Sequence, residues 1–421
     1  KPAARLFTAR GSNGDPQWCP DGDHLAFVSN RGDHAYIGIY HGPESPLTYV
    51  SPSTNRDGSP RWSPDGTRIV FVRRPGAGGP AQNILEQRPT AWSLYTADAG
   101  TGDARLLWTS PNTLRGSVPN THGGTNLHWA AGGRIVFLSY MDGWPHLYSI
   151  AETGGTPLLL TPGNYMAEYI RLSPHGKTLV FAGNTGPSPD DLHRRHVVAV
   201  PVDRAAPRVL TPGAGLEWTP IILGDGATVA YIAATAQRPP LPTVAPLGGG
   251  SARTLAADRV PADFPSARLV TPKAVTYTAE DGLVVQAQLF DAAPVARGGA
   301  ATRRPAIVYV HGGPPRQMLL GWHYSDYYTN AYAMNQYLAS KGYVVLSVNY
   351  RLGIGYGYEF HQPPAAGARG AAEYLDVKAA ALYLRTLPQV DSTKIGIYGG
   401  SYGGYLTALA LGRNSDLFAA G

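Results

Sequence analysis

The chain has 421 residues, 43% of them hydrophobic and 15% charged, with no apolar run near the length that crosses a membrane, which points to a large globular protein of two or three domains. The net charge of +6 is spread along the chain and not gathered into a tract, so it reads as a solvated basic surface and argues against nucleic-acid binding. A single cysteine, Cys19, excludes an intrachain disulfide framework. The first residue is Lys1 and not methionine, so a removed leader is compatible with the sequence; the compartment stays open, with a lean to periplasmic or secreted over cytoplasmic.

The 51 glycines and 37 prolines imply many turns, and the first two thirds explain them with an internal repeat. Pro16-Gln-Trp-Cys-Pro-Asp-Gly-Asp-His-Leu-Ala-Phe-Val28 aligns with Pro60-Arg-Trp-Ser-Pro-Asp-Gly-Thr-Arg-Ile-Val-Phe-Val72. Three looser copies follow around Trp129, Leu172 and Ile222. Steps of 44, 67, 43 and 50 residues between positions 18, 62, 129, 172 and 222 suit the blades of a β-propeller, about five of them visible. Each unit reads as strand, Pro-Asp-Gly turn, buried strand, and two further strands such as His146–Ile150 and Pro157–Thr161. The tryptophans are expected to pack between blades.

Arg5-Leu6-Phe7-Thr8 is similar to the fourth-strand segments Arg208–Thr211 and Arg253–Leu255, so the chain opens either on the tail of an upstream blade or on a segment that closes the ring. The long second step holds Pro75-Gly-Ala-Gly-Gly-Pro80 and Asn83–Gln87, a loop excursion. Near residue 265 the pattern changes. Val275–Thr278 and Leu283–Phe290 flank the turn Glu280-Asp-Gly282, and Arg297–Arg304 reads as an exposed loop. Strands over Pro305–Val310, Tyr343–Val348 and Ile395–Tyr398 then alternate with helices over 331–340 and 371–387, as in a parallel sheet covered on both faces. The expected division is therefore an all-β propeller over 1–265 and an incomplete α/β-hydrolase domain over 266–421.

Two motifs carry chemistry. Gly399-Gly-Ser-Tyr-Gly-Gly-Tyr405 follows an apolar strand and precedes a helix-forming stretch, the setting in which a strained serine presents its Oγ at the head of a helix. His311-Gly-Gly-Pro314 ends the first strand of the alternation, where a glycine-rich turn can aim an amide at the same point. Ser401 is the candidate nucleophile, and the amides of Tyr402 and Gly313 are the candidate oxyanion hole.

With Asn349-Tyr-Arg-Leu-Gly-Ile-Gly-Tyr-Gly357 and Glu373-Tyr-Leu-Asp-Val377, these motifs and repeats give the chain a resemblance to the prolyl oligopeptidase family of serine peptidases, especially its acylaminoacyl- and dipeptidyl-peptidase branches. The resemblance implies an acyl-enzyme on Ser401, a peptide substrate and a propeller that gates access. It implies no cofactor and no metal. Where the dipeptidyl and prolyl-oligopeptidase branches carry a tyrosine in the hole this chain has His311, so donation from the backbone is the better inference.

The family order places an acid and then a histidine after the serine, yet the last histidine here is His361 and the only later acid is Asp416. The chain is accordingly expected to be a fragment without the triad acid and base, and inactive alone. No Glu-Glu pair that would hold a substrate amine is present; Glu86, Glu168 and Glu217 are isolated candidates, more often surface or ion-paired groups. His311 and Arg351 are candidate substrate contacts, with Arg351 equally placed to brace its own turn. Tyr324, Tyr327 and Tyr328 form an aromatic cluster, and Asp376 is expected to anchor its helix. The alternatives to a peptidase are an esterase or lipase using the same elbow, and a non-catalytic propeller that binds a partner. A homo-oligomer stays open.

Overall fold

A computed structural model describes residues 4–78, 81, 83–292 and 303–421. Part of two expected loops, at 79–80 and 297–302, lies outside the described residues. All five repeats form four-stranded antiparallel units: strands lie within 12–49, 56–109, 128–159, 167–209 and 216–254. The first two are joined into one sheet by a parallel bridge between Ala35 and Arg56. These are the blades of a β-propeller. Arg5–Thr8 belongs to no strand; the Phe7 ring instead lies 4.9 Å from Phe27 and 5.0 Å from Tyr40 of the first blade.

In the first, second and fifth blades the turn closes its hairpin through an aspartate, while the third and fourth have Gly132 and His175 at that position. Asp65 accepts from the amide of Thr67 at 3.1 Å, and Asp225 accepts from Ala227 and Thr228 at 2.9 Å each. One feature of every blade has no sequence signature. The residue three before the tryptophan position is left-handed in all five: Asp15, Ser59, Asn126, Tyr169 and Thr219, with φ between 44° and 54°. In the first, second and fifth blades the strand pairing slips there, between Gly14 and Gln17, Gly58 and Arg61, and Trp218 and Ile221. A bulge of this kind re-aims the strand just before the turn. The packing expected of the tryptophans holds for Trp129, which is buried, and for Trp62, whose indole N–H donates to Gln17 O at 2.8 Å; Trp18 is 57% exposed.

The chain divides into two compact units: residues 1–163 with 172–179 and 200–208, and residues 164–171 with 180–199 and 209–421. The first is cored by Val70, Trp92, Trp129, Phe137 and Ile150, and by Ile37, Ile69 and Phe71. The second holds the fifth blade and an α/β region. That region comprises β1 (Lys273–Thr278), β2 (Val284–Phe290), β3 (Arg304–Val310), α1 (Asp326–Ser340), β4 (Val344–Asn349), α2 (Glu373–Thr386), β5 (Val390–Gly399) and α3 (Tyr402–Arg413). The sheet order is β1-β2-β4-β3-β5, antiparallel over β1, β2 and β4 and parallel over β4, β3 and β5. The fully buried Val308, Val310, Leu346 and Val348 make β3 and β4 continuous apolar strands, as a sheet covered on both faces requires. Among the described residues no helix is long and apolar enough to cross a membrane.

The second unit also contains a buried ionic knot. His196 is fully buried, with Nδ1 3.0 Å from Glu217 Oε2 and Nε2 3.1 Å from Asp191 Oδ1. The Asp191 approach is too far off line for a hydrogen bond, so it acts through charge. Burial alone would lower the imidazole pKa, but the Glu217 hydrogen bond and charge, followed by Asp191, raise it above the ordinary 6.5. A raised folded-state pKa gives stability that is complete below the unfolded value and is lost as pH rises through the folded one. His196→Gln is therefore expected to cost stability at pH 5.5 and progressively less in alkaline buffer, read from urea midpoints across that range. An equal loss at every pH would contradict a charged His196.

Candidate active site

β5 leads directly into the turn Gly399-Gly400-Ser401, and α3 begins at Tyr402. Ser401 is exposed and has φ 56° and ψ −122°, a conformation a non-glycine residue adopts only under local constraint. The neighbouring glycines show the constraint. A Cβ on Gly399 would stand 2.4 Å from Val310 O, and one on Gly403 would stand 2.1 Å from it. A Cβ on Gly400 would meet the Tyr327 hydroxyl at 1.9 Å. The elbow is thus wedged against the end of β3: main chain fills the space beside Gly399 and Gly403, and the Tyr327 hydroxyl fills that beside Gly400. Gly403→Ala is expected to destabilise by about 3 kcal/mol through this overpacking. Gly412→Ala, in the same helix with nothing within 4 Å, should stabilise by about 0.5–1 kcal/mol. Denaturant midpoints of the two variants test the contrast.

The His311-Gly-Gly-Pro turn reaches the same place. A Cβ on Gly312 would lie 2.7 Å from Gly400 O and 3.1 Å from Ser401 Cβ, and Gly313 has φ 116°. Among the described residues neither the Gly313 nor the Tyr402 amide donates to a protein acceptor, and the Tyr402 amide heads α3. Ser401 is therefore brought together with both amides' turns. Two tyrosines whose position the sequence did not reveal overlook this point: the Tyr327 hydroxyl at Gly400, and the Tyr328 hydroxyl 3.5 Å from a Cβ on either Gly312 or Gly313.

The supports come from the remaining motifs. The Tyr402 hydroxyl donates to Glu373 Oε1 at 2.5 Å, and Glu373 Oε2 accepts from the Gly367 amide, tying the head of α3 to α2. Asn349 accepts from the Met318 amide at 2.7 Å and donates to Met318 O and the Tyr356 hydroxyl, which pins the loop that follows the His311 turn. Arg195 reaches the same loop through Gln317 Oε1 at 2.7 Å while paired with Glu168 Oε2 at 2.6 Å.

Of the two readings of Arg351, the structure carries the bracing one. Its guanidinium is buried and forked between Asp376 and Asp281, with bonds of 2.5–3.1 Å, and its amide donates to Asp376 Oδ2 at 2.7 Å. All its N–H groups on that side are taken, and Asp376 anchors α2 as expected. His311 is fully buried under Tyr350, 4.4 Å between ring centres, and its pKa is pulled down by burial to about 4. It lies inside the fold and exposes no surface to a substrate.

No histidine is bonded to Ser401 among the described residues. His323 accepts from the Ser325 amide and donates to Gln317 O, and burial drops its pKa to about 3. His361 is buried with Nδ1 at Leu352 O. Asp416 lies beyond the far end of α3, whose 12 residues span about 18 Å. The isolated acids are also engaged: Glu86 with Arg88, Glu168 with Arg195, Glu217 with His196.

Residues 329–421 match the family model described as the prolyl oligopeptidase family. Over 150 residues the chain is 34% identical to the uncharacterized peptidase YuxL of Bacillus subtilis, a match covering 35% of this chain and 21% of the relative. It is 35% identical over 131 residues to acylamino-acid-releasing enzyme 1 of rice, Oryza sativa subsp. japonica, covering 31% and 16%. A puromycin-hydrolyzing peptidase of Mycobacterium tuberculosis superposes with a TM-score of 0.72 at 20% identity, over 97% of this chain and 60% of that one. The matches thus span well under half the length of the curated relatives and about 60% of the solved structure. Residues 329–421 thus carry the sequence of the prolyl oligopeptidase family, and the succession of propeller blades and α/β sheet is the fold of the superposed structure.

Proposed function

We propose that this protein is a serine peptidase of short peptides, in which Ser401 Oγ attacks the scissile carbonyl and the amides of Tyr402 and Gly313 hold the resulting oxyanion. The C–N bond then breaks, the amine departs with a proton, and water releases the acyl group from Ser401. The observation that carries this reading is the left-handed serine at the head of α3, packed against a second glycine turn whose amide is unpaired. Homology to serine peptidases supports the reaction class. The propeller over 1–265 is proposed to restrict access to the catalytic region over 266–421, so that small peptides enter and folded proteins do not.

Residues 1–421 are proposed to turn over slowly alone, because His311, His323 and His361 are buried, held neutral by that burial and bonded elsewhere, and none of them activates the Ser401 hydroxyl. Turnover of peptide anilides and of simple aliphatic esters by the full-length protein tests the assignment, with residues 1–421 assayed in parallel. A peptidase hydrolyses the anilides with the higher kcat/KM, and the shorter chain is slower on both. Preference for the esters would favour an esterase, and full activity in residues 1–421 would overturn the proposal about its histidines.

A further inference from the structure

The Pro-Asp-Gly turn of the first blade differs chemically from the others. In the second blade the turn is held by a serine: Ser63 Oγ donates to Asp65 Oδ1 at 2.5 Å and accepts from the Arg68 amide at 2.9 Å, while the Arg68 side chain pairs with Glu152 at 3.1 Å. In the fourth blade Ser173 accepts from the Lys177 and Thr178 amides in the same way. In the first blade Cys19 stands in place of Ser63, and His24 in place of Arg68. The aspartate, Asp21, is retained.

These substitutions bring sulfur, carboxylate and imidazole together. One ligand atom from each of Cys19, Asp21 and His24 lies within 4.8 Å of the other two. The backbone fixes the frame, since the Cys19 amide donates to His24 O at 2.9 Å and the Gly22 amide to Cys19 O at 2.9 Å. Asp21 Oδ1 accepts from the Asp23 amide at 2.8 Å, which leaves Oδ2 facing His24 Nδ1 at 2.7 Å. Cys19 is 3% exposed, its sulfur 3.7 Å from Gly66 O, while the side chains of His24 and Asp21 are 37% and 42% exposed. The cluster has a buried anchor and an open side. A second imidazole, His41, stands with its ring centre 5.2 Å from that of His24.

We propose that Cys19, Asp21 and His24 form a binding site for a zinc-class divalent ion. The donor set of one thiolate, one imidazole and one carboxylate suits a borderline-soft ion with bonds of about 2.0–2.3 Å, and His41 or water completes four-coordination. On binding, the Cys19 thiol proton passes to solvent as the sulfur–metal bond forms, His24 gives a ring lone pair, and Asp21 exchanges its hydrogen bond to His24 for the metal.

The test uses the full-length protein, stripped with a chelator and titrated with cobalt(II) as a spectroscopic stand-in for zinc. The expected result is one ion per chain, the near-ultraviolet band of a thiolate–cobalt bond and the strong visible bands of a four-coordinate ion, all bleached by zinc. Cys19→Ser installs the residue of the second repeat, so the fold is retained and the thiolate band disappears. His24→Asn, at an exposed position, is expected to weaken affinity at least tenfold. Absence of the thiolate band in the wild-type protein, its survival in Cys19→Ser, or unchanged affinity in His24→Asn would each overturn the proposal.

Discussion

Ser401→Ala in the full-length protein is expected to lower kcat toward peptide amides by about 10⁴–10⁶ while leaving KM within a few-fold, the pattern of a group that acts only as bonds are made and broken. The exposed hydroxyl makes no hydrogen bond within the described residues, so its removal leaves no buried partner unsatisfied. Stability should move in the opposite direction from activity in one variant. At φ 56° the serine carries a backbone penalty of about 1–2 kcal/mol that glycine does not. Ser401→Gly is therefore expected to be inactive and about 1 kcal/mol more stable than the parent. Thermal unfolding beside a progress curve reads both, and a less stable Ser401→Gly would mean that the turn is not strained.

The second large effect is structural. Arg351→Ala is expected to destabilise the second unit by about 3–5 kcal/mol, because it strands the fully buried Asp376 carboxylate without a partner. For a unit of this size that is roughly 6–20 °C in melting temperature. Arg351→Lys should recover little of it, since a single ammonium cannot bridge Asp376 and Asp281 as the planar fork does. The two carboxylates hold the guanidinium firmly charged, although burial opposes it. If Arg351→Ala instead left the melting temperature unchanged and raised KM for peptides, the residue would belong to the substrate site.

Much of the fold was legible because its signals are local. The Asp-Gly turns depend on aspartates that cap amides two and three residues ahead, as Asp21 and Asp225 do, and the elbow glycines stand in one contiguous strand-turn-helix motif, although the contacts that demand them come from Val310 and Tyr327 far upstream. The left-handed residue of each blade was not legible. Asp15, Ser59 and Asn126 tolerate that conformation, but Thr219 does not favour it, and there the bulged strand pairing imposes it. Helix α1 likewise begins at Asp326, five residues before the expected start at Ala331. Tyr327, Tyr328, Thr329 and Asn330 are weak helix formers, and packing of Tyr328 beside His311, Tyr309 and Met318 outweighs propensity there. The tyrosine hydroxyls over the elbow come from more than 70 residues upstream of it, a separation that no motif spans. For Arg351 the sequence offered two roles, and the choice rested on Asp281, 70 residues away.

The most direct test of the nucleophile assignment is covalent. Full-length protein treated with a fluorophosphonate should gain the mass of one phosphonyl group, located by peptide mapping on Ser401 and absent in Ser401→Ala. A protein that takes up no phosphonyl group, or one labelled on another residue and equally in Ser401→Ala, would contradict Ser401 as the nucleophile.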